Sequence, residues 1–231
     1  NKIKQVFKLN KCLILHSIRN NTMSNIELND KKIQILEVPE KLFSEKGFEG
    51  TSIRDISKEA KINIAMVSYY FGSKERLLEA LILYKTVDLK LQLENLLQED
   101  LEPLEKVNKL IEIYISRICL NKGIYRVLHF ELNAKKREKS LNAFTELKKG
   151  NLKSVESIIK QGQAQGVIRK DINIQLITPT IIGTFFHFHM NRSFFEELLD
   201  LKTEEMFNNY IKNNLTKHIQ QTIKALLVYE N

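Results

Sequence analysis

Residues Thr51–Arg76 read TSIRDISKEAKINIAMVSYYFGSKER and constrain the fold more than any other stretch. Ile53, Ile56 and Ala60 recur at spacings of three and four, the period of one helix face. Ser52 followed by Asp55 has the form of a capping box, with Asp in place of the usual Glu or Gln. Asn63 is placed to cap a second short helix. Two helices this short, with so little chain between them, cannot run antiparallel and must cross steeply as a helix-turn-helix. The second helix, Asn63–Tyr70, then projects from the domain, with Ile62 and Val67 turned inward. Ile64, Ala65, Met66, Ser68, Tyr69 and Tyr70 carry more apolar and aromatic surface than a solvated face needs. Thr51, Ser52, Arg54 and Lys74 rim that helix with hydroxyls and cations, groups that donate to phosphate oxygens. Methyl and aromatic groups can press on sugars and thymine methyls. Enzymes also contain such corners, so the pattern alone leaves both DNA contact and an ordinary core corner open.

Phe43, Gly47-Phe48, Thr51-Ser52, Asp55-Ile56, Ala60, Ile62, Tyr70-Phe71, Ser73-Lys74-Glu75 and Leu77-Leu78 together resemble the N-terminal domain of TetR-type transcriptional regulators. The resemblance runs from about Ile35 to Leu81. It implies a homodimeric, all-helical repressor of a palindromic operator in double-stranded DNA. It also implies a C-terminal domain that binds a small-molecule effector of unknown identity. Three positions depart from the family pattern. Lys61 stands where glycine is usual in the turn, which would place a non-glycine residue at positive φ. Ser68 replaces a frequent tyrosine, and Pro39 replaces an alanine inside the first helix.

Only eight glycines and three prolines occur in 231 residues, which favours long helices over sheet. The expected fold is all-α. An N-terminal three-helix helix-turn-helix head is joined by a long helix to a C-terminal helical bundle for ligand binding and dimerisation. The expected boundaries are 1–28 for an N-terminal extension, 29–84 for the DNA-binding domain and 85–231 for the ligand-binding and dimerisation domain. The first helix runs from Asn29 or Asp30 to Lys46, with an interior Pro39 expected to kink it and Gly47 as its C-cap. Ser73 caps a leucine-rich helix that reaches about Gln98 with no proline or glycine inside it. Pro103 suits the first turn of the next helix, which Asn121-Lys122-Gly123 closes. Further helices are expected at Ile124–Lys135, at Ser140–Gln165 with a break near Gly150, at Asn173–Met190 with a kink at Pro179, and at Glu204–Val228. The last two carry surplus apolar residues, Phe207 and Leu215 among them, for a twofold interface.

The net charge is +8, but Lys2, Lys4, Lys8, Lys11 and Arg19 supply +5 of it within residues 1–22, leaving +3 for the rest. Basic character overall is therefore no evidence for DNA binding, and cations at the head must act through placement. Residues 1–22 lack the long apolar core and cleavage site of a signal peptide. They read either as a non-native extension upstream of Met23 or as a basic arm adding phosphate contacts. Cys12 and Cys119 form neither a metal nor a disulfide pattern, which fits a reducing, cytoplasmic setting. No apolar run reaches the length of a membrane span, and no membrane partner is expected.

No catalytic set, glycine-rich phosphate loop or nucleophile elbow is present, so no enzyme, cofactor or metal site is expected. His187 and His189 lie two residues apart on a helix, too far around it to share one metal. The expected DNA-binding residues are Thr51, Ser52, Arg54, Asn63, Ile64, Ala65, Met66, Ser68, Tyr69, Tyr70 and Lys74. Ile64, Ala65 and Met66 would meet base edges, mainly through apolar contact and shape. The expected ligand-binding residues are Tyr114, Arg117, Tyr125, His129, Phe186 and His187, polar groups set among large apolar ones. The competing reading is a helical small-molecule-binding or protein-interaction module without specific DNA recognition.

Overall fold

The computed structural model describes residues 30–132 and 142–229, whose regular elements are all helices. The segment 1–22 and the charged turn Lys135–Lys139 lie outside the described residues. The chain packs as two units. The first contains 30–91, 120–132 and 142–148 of the described residues, and the second contains 92–119 and 149–229.

In the first unit, α1 (Asp30–Leu36) and α2 (Pro39–Lys46) stand in place of one kinked helix. Pro39 occupies the first position of α2, where a backbone N–H has no intrahelical acceptor in any case. The Ile35 carbonyl, which Pro39 cannot serve, accepts from Val38 N at 3.4 Å. The proline therefore starts a helix instead of bending one. Next, α3 (Ile53–Glu59) begins on the Ser52–Asp55 capping box, and α4 (Ile64–Phe71) begins on Asn63. The turn between them is a Schellman closure, in which Lys61 N donates to Lys58 O at 3.1 Å and Ile62 N to Ser57 O at 3.0 Å. Its left-handed residue is Lys61, at φ 54°.

From Ser73, whose Oγ accepts from Arg76 N at 3.2 Å, α5 (Lys74–Gln98) runs from the first unit into the second. After it comes α6 (Pro103–Leu120), almost wholly in the second unit. Then α7 (Lys122–Leu132) and the start of α8 (Asn142–Ala164) return to the first. Leu77, Leu81 and Ile82 of α5 share one core with Phe43, Phe48, Ile56, Val67 and Phe71. Ile124, Val127, Leu128, Phe144 and Leu147 close that core from α7 and α8.

Two carboxylates from the head side cap these returning helices. Glu40 Oε1 accepts from Ile124 N at 3.1 Å, and Glu40 Oε2 pairs with Lys85 Nζ at 2.6 Å. Glu79 Oε1 accepts from Ala143 N at 3.1 Å. Gly123, expected to close the preceding helix, lies instead in the first turn of α7, where a Cβ would meet Glu40 Oε1 at 2.8 Å.

In the second unit, α8 runs through Gly150 without the expected break. The burial of Val155, Ile158 and Ile159 outweighs the roughly 1 kcal/mol that one helical glycine costs. A 3-10 turn at Ile174–Leu176 leads into α9 (Ile177–Met190). Pro179 falls in the first turn of α9, which proline tolerates, and not at an interior kink. A Cβ on Gly183 would touch nothing within 4 Å, so that glycine serves no close packing in this chain. The short helix α10 (Arg192–Leu198) is an element that the apolar spacing does not predict. The last expected helix consists of α11 (Glu204–Tyr210), a π-helical stretch Ile211–Leu215, and α12 (Thr216–Leu227). Phe188 packs on Phe195, Phe207 and Tyr210 at ring separations of 4.5, 5.3 and 5.5 Å. Phe207 and Leu215, expected at an interface between chains, are only 0% and 7% exposed within this one.

Left-handed backbone costs a side-chain-bearing residue about 1–2 kcal/mol. Lys61→Gly should therefore raise the unfolding free energy by about 1 kcal/mol in urea titrations, after allowance for the entropy glycine loses on folding. Glu40→Ala should lower it by about 2 kcal/mol, because Lys85 and the Ile124 N–H lose their partner together. Glu40→Gln keeps an acceptor for Ile124 N and should fall between wild type and Glu40→Ala.

Candidate nucleic-acid interface

The head presents α4 through its helical phase. Val67 and Phe71 are buried, Met66 and Tyr70 are half-buried, and Ile64, Ala65, Ser68 and Tyr69 are exposed. At about 100° per residue those four occupy one arc of the helix. Tyr69 is 84% exposed and Ile64 43%, both on that arc. Tyr69 and Tyr70 meet edge to face at 5.3 Å, and Lys32 Nζ stands 5.5 Å from the Tyr70 ring centre. Asn63 is exposed, and its Oδ1 accepts from Ala65 N at 2.8 Å. Its amide nitrogen extends the α4 surface at the N-terminal end.

The expected rim of phosphate donors is redistributed. Thr51 is 1% exposed, and its hydroxyl donates inward to the Leu42 and Gly47 carbonyls at 3.2 and 2.8 Å. Lys74 Nζ donates to the Phe48 and Thr51 carbonyls at 2.8 and 3.0 Å, with the Phe48 ring centre 4.2 Å away. Both residues therefore fasten the loop between α2 and α3. Ser52 is exposed, but its hydroxyl donates to Asp55 Oδ2 at 2.6 Å and accepts from Asp55 N at 3.1 Å. Its proton is committed to the cap. The Ser52 hydroxyl, and after it the Ser52 N–H, hold the Asp55 carboxyl below its ordinary 3.8. The cap thus contributes its stability above that pH and loses it as pH falls through the lowered value.

Arg54 is left as the exposed cation of the rim. Lys58, four residues on and also exposed, joins it on one face of α3. Lys58 is not among the expected residues, although its spacing from Arg54 places it on the same face.

The expected ligand residues do not converge in one unit. Tyr125 and His129 lie on α7 in the first unit, with the His129 side chain outside the described residues. Tyr114, Arg117, Phe186 and His187 lie in the second. There, Tyr114 is buried, which pushes its phenol up to about 12. Its hydroxyl lies near Thr178, outside good hydrogen-bonding geometry. Thr178 Oγ1 and Asn151 Oδ1 are both buried without a hydrogen-bond partner among the described residues. Arg117, one turn from Tyr114, faces the Gln92 side-chain amide, whose oxygen accepts from it once the amide is turned over. Phe186 is half-buried against Phe185, and His187 is exposed beside the Phe195 ring. Among the described residues no group of three or more His, Cys, Asp or Glu is placed to hold a metal ion. None of the described helices is long and apolar enough to cross a membrane.

A capped helix-turn-helix with an exposed second helix, followed by a larger helical part, is the architecture of an all-helical helix-turn-helix protein. Comparison with known proteins makes the class specific. The family model for bacterial regulatory proteins of the tetR family matches residues 35–81, and that for a tetracyclin repressor-like C-terminal domain matches 103–223. The chain is 32% identical over 166 residues to the HTH-type transcriptional repressor NicS of Pseudomonas putida, covering 68% of this chain and 75% of that protein. It is 49% identical over 51 residues to the probable HTH-type transcriptional regulator YttP of Bacillus subtilis, covering 22% of this chain and 25% of that one. The crystal structure of FadR from Bacillus subtilis in complex with stearoyl-CoA superposes with a TM-score of 0.66 at 21% identity, over 83% of this chain and 96% of that one. The chain belongs to the tetR family of bacterial regulatory proteins. It is a ligand-responsive DNA-binding transcriptional regulator, and the alternative of a binding module without DNA recognition is not favoured. The family is regulatory and not catalytic.

The two cations of the head should respond differently to truncation. Lys74→Ala should cost about 2 kcal/mol of stability in urea titrations, since it removes charge-assisted bonds to two carbonyls. Arg54→Ala should leave stability within about 0.5 kcal/mol. It should weaken binding to all DNA sequences alike and lower the salt slope of affinity by roughly one unit.

Proposed function

We propose that this regulator is a cytoplasmic repressor that binds a palindromic operator as a homodimer and leaves it when an effector binds. In this reading residues 29–84 contact DNA and 85–231 bind the effector and the second subunit. Residues 1–28 add at most a basic arm. The observation that carries the DNA half is the arc of Ile64, Ala65, Ser68 and Tyr69, exposed on a helix whose opposite face is buried. Arg54 and Lys58 supply charge for the phosphates beside it. Met66 and Tyr70 border the arc. The relative NicS is a transcriptional repressor.

For the effector, the supporting features are the buried Tyr114 hydroxyl and the unpartnered oxygens of Thr178 and Asn151, among the apolar side chains of the second unit. An apolar molecule with a polar head would suit a site built from such groups. Stearoyl-CoA, the molecule bound by the structural relative FadR, is the first probe to titrate. The helix α5, unbroken by proline or glycine, supplies a stiff path for the response. A coupling of about 1–3 kcal/mol would change DNA affinity by roughly 5–150-fold, and DNA must then change effector affinity by the same factor.

The test of the reading is selection of bound DNA from a random pool by the purified protein. An enriched palindrome is expected, and enrichment of nothing, or of an asymmetric site, overturns it. For the dimer, the exposed Phe194 and Leu198, at 60% and 62%, replace Phe207 and Leu215 as the residues to change. Wild type should sediment at twice 27.0 kDa. Phe194→Glu with Leu198→Glu should sediment as a folded monomer, whereas Phe207→Glu should unfold the chain. A wild-type monomer at micromolar concentration refutes the dimer.

A further inference from the structure

The exposed arc of α4 carries two apolar side chains, Ile64 and Ala65, one hydroxyl, Ser68, and one phenol, Tyr69, with no charged group among them. The usual two-pronged readers of purines are missing from it. Guanine is read by a guanidinium or ammonium, and adenine by an amide that offers its oxygen and nitrogen together. Asn63 has its amide oxygen committed to the Ala65 N–H. Arg54 and Lys58 stand on α3, the helix that in this geometry crosses the backbone. What remains for a base edge is apolar contact from Ile64 and Ala65, with the Ser68 hydroxyl one turn beyond Ile64 on the same side of the helix.

We infer that α4 reads the C5-methyl group of pyrimidines, so that 5-methylcytosine serves in place of thymine at the contacted positions. The inference rests on the DNA-facing assignment of α4 made above. Thymine projects its methyl group into the major groove from ring carbon C5, and 5-methylcytosine carries the same methyl on the same atom. The two bases differ at C4, where thymine has an acceptor oxygen and cytosine a donor amine. A hydroxyl can donate or accept, so Ser68 satisfies either one. An isoleucine and an alanine respond to the methyl alone. The operator is thus distinguished by where its methyl groups lie, and enzymatic methylation of a cytosine in it would act as a thymine-like signal.

The test uses the full chain and the operator obtained from the random pool. At each pyrimidine facing α4, duplexes are made with thymine or uracil opposite adenine, and with 5-methylcytosine or cytosine opposite guanine. Each pair differs by one methyl group. Affinities are read by fluorescence anisotropy at one salt concentration. Removing the methyl should weaken binding about fourfold in both pairs, the value expected for one buried methyl. Ile64→Ala, at a largely exposed position, should shrink both ratios towards one while the protein still binds the operator. Equal affinities within both pairs overturn the inference and leave the DNA-binding reading intact, as does a methyl effect in the thymine pair without one in the cytosine pair. A pool from which nothing is enriched overturns the reading of α4 as a DNA contact, and this inference with it.

Discussion

The geometry of the head depends on one ammonium group. Lys74, at the start of α5, donates to the carbonyls of Phe48 and Thr51 and lies over the Phe48 ring. Those carbonyls belong to the loop that ends α2 and sets the first cap of α3. Thr51 completes the lock by donating back to Leu42 and Gly47. Three helices are therefore referred to one loop, and the loop is held by bonds to main-chain oxygens that would otherwise be poorly solvated. The crossing of α3 and α4 has its own lock in the Schellman turn, at the expense of a strained Lys61. With both fixed, the exposed arc of α4 is a rigid surface, as recognition of a fixed groove requires.

The features legible in the sequence were those that a few neighbouring residues decide. The Ser52–Asp55 box, the Asn63 cap, the Ser73 cap and the positive φ of Lys61 each depend on residues within one turn, and each is present. At Pro39 the sequence predicts a kink where the structure has a break, because Ile35, Leu36, Leu42 and Phe43 feed one core on both sides of it. Apolar spacing reports which residues face the core and not whether the chain between them stays helical. Gly150 misled in the opposite direction, since burial on α8 overrides a single weak position. The helix α10 escaped because seven residues are too few to display a period.

For the interface, residue type indicated the exposed helix but not the partners of the polar groups around it. Thr51, Ser52 and Lys74 all have donors suited to phosphate, and each of them also donates to an acceptor inside the head. Phe48 lies 26 residues before Lys74, and no local pattern reveals a main-chain acceptor that far away. The buried polar groups of the second unit are the least legible. An unpartnered buried oxygen such as that of Asn151 is defined by what fails to surround it, which only packing determines.

The widened turn at Ile211–Leu215 has a consequence for the final helices. Phe207, Ile211, Leu215, Ile219, Ile223 and Leu227 are all buried and recur every four residues. In a regular α-helix such a stripe precesses by about 40° at each step. One i→i+5 turn absorbs a residue and takes back about 100° of that rotation. Thr216 N closes the wide turn on the Ile211 carbonyl, which also accepts from Thr216 Oγ1 at 2.8 Å. The helical rod is therefore indexed twice, once from Glu204 and again from Thr216. Its two halves can be retuned independently, so residues near Phe188 and Phe207 can drift in evolution without rotating the face that ends at Leu227.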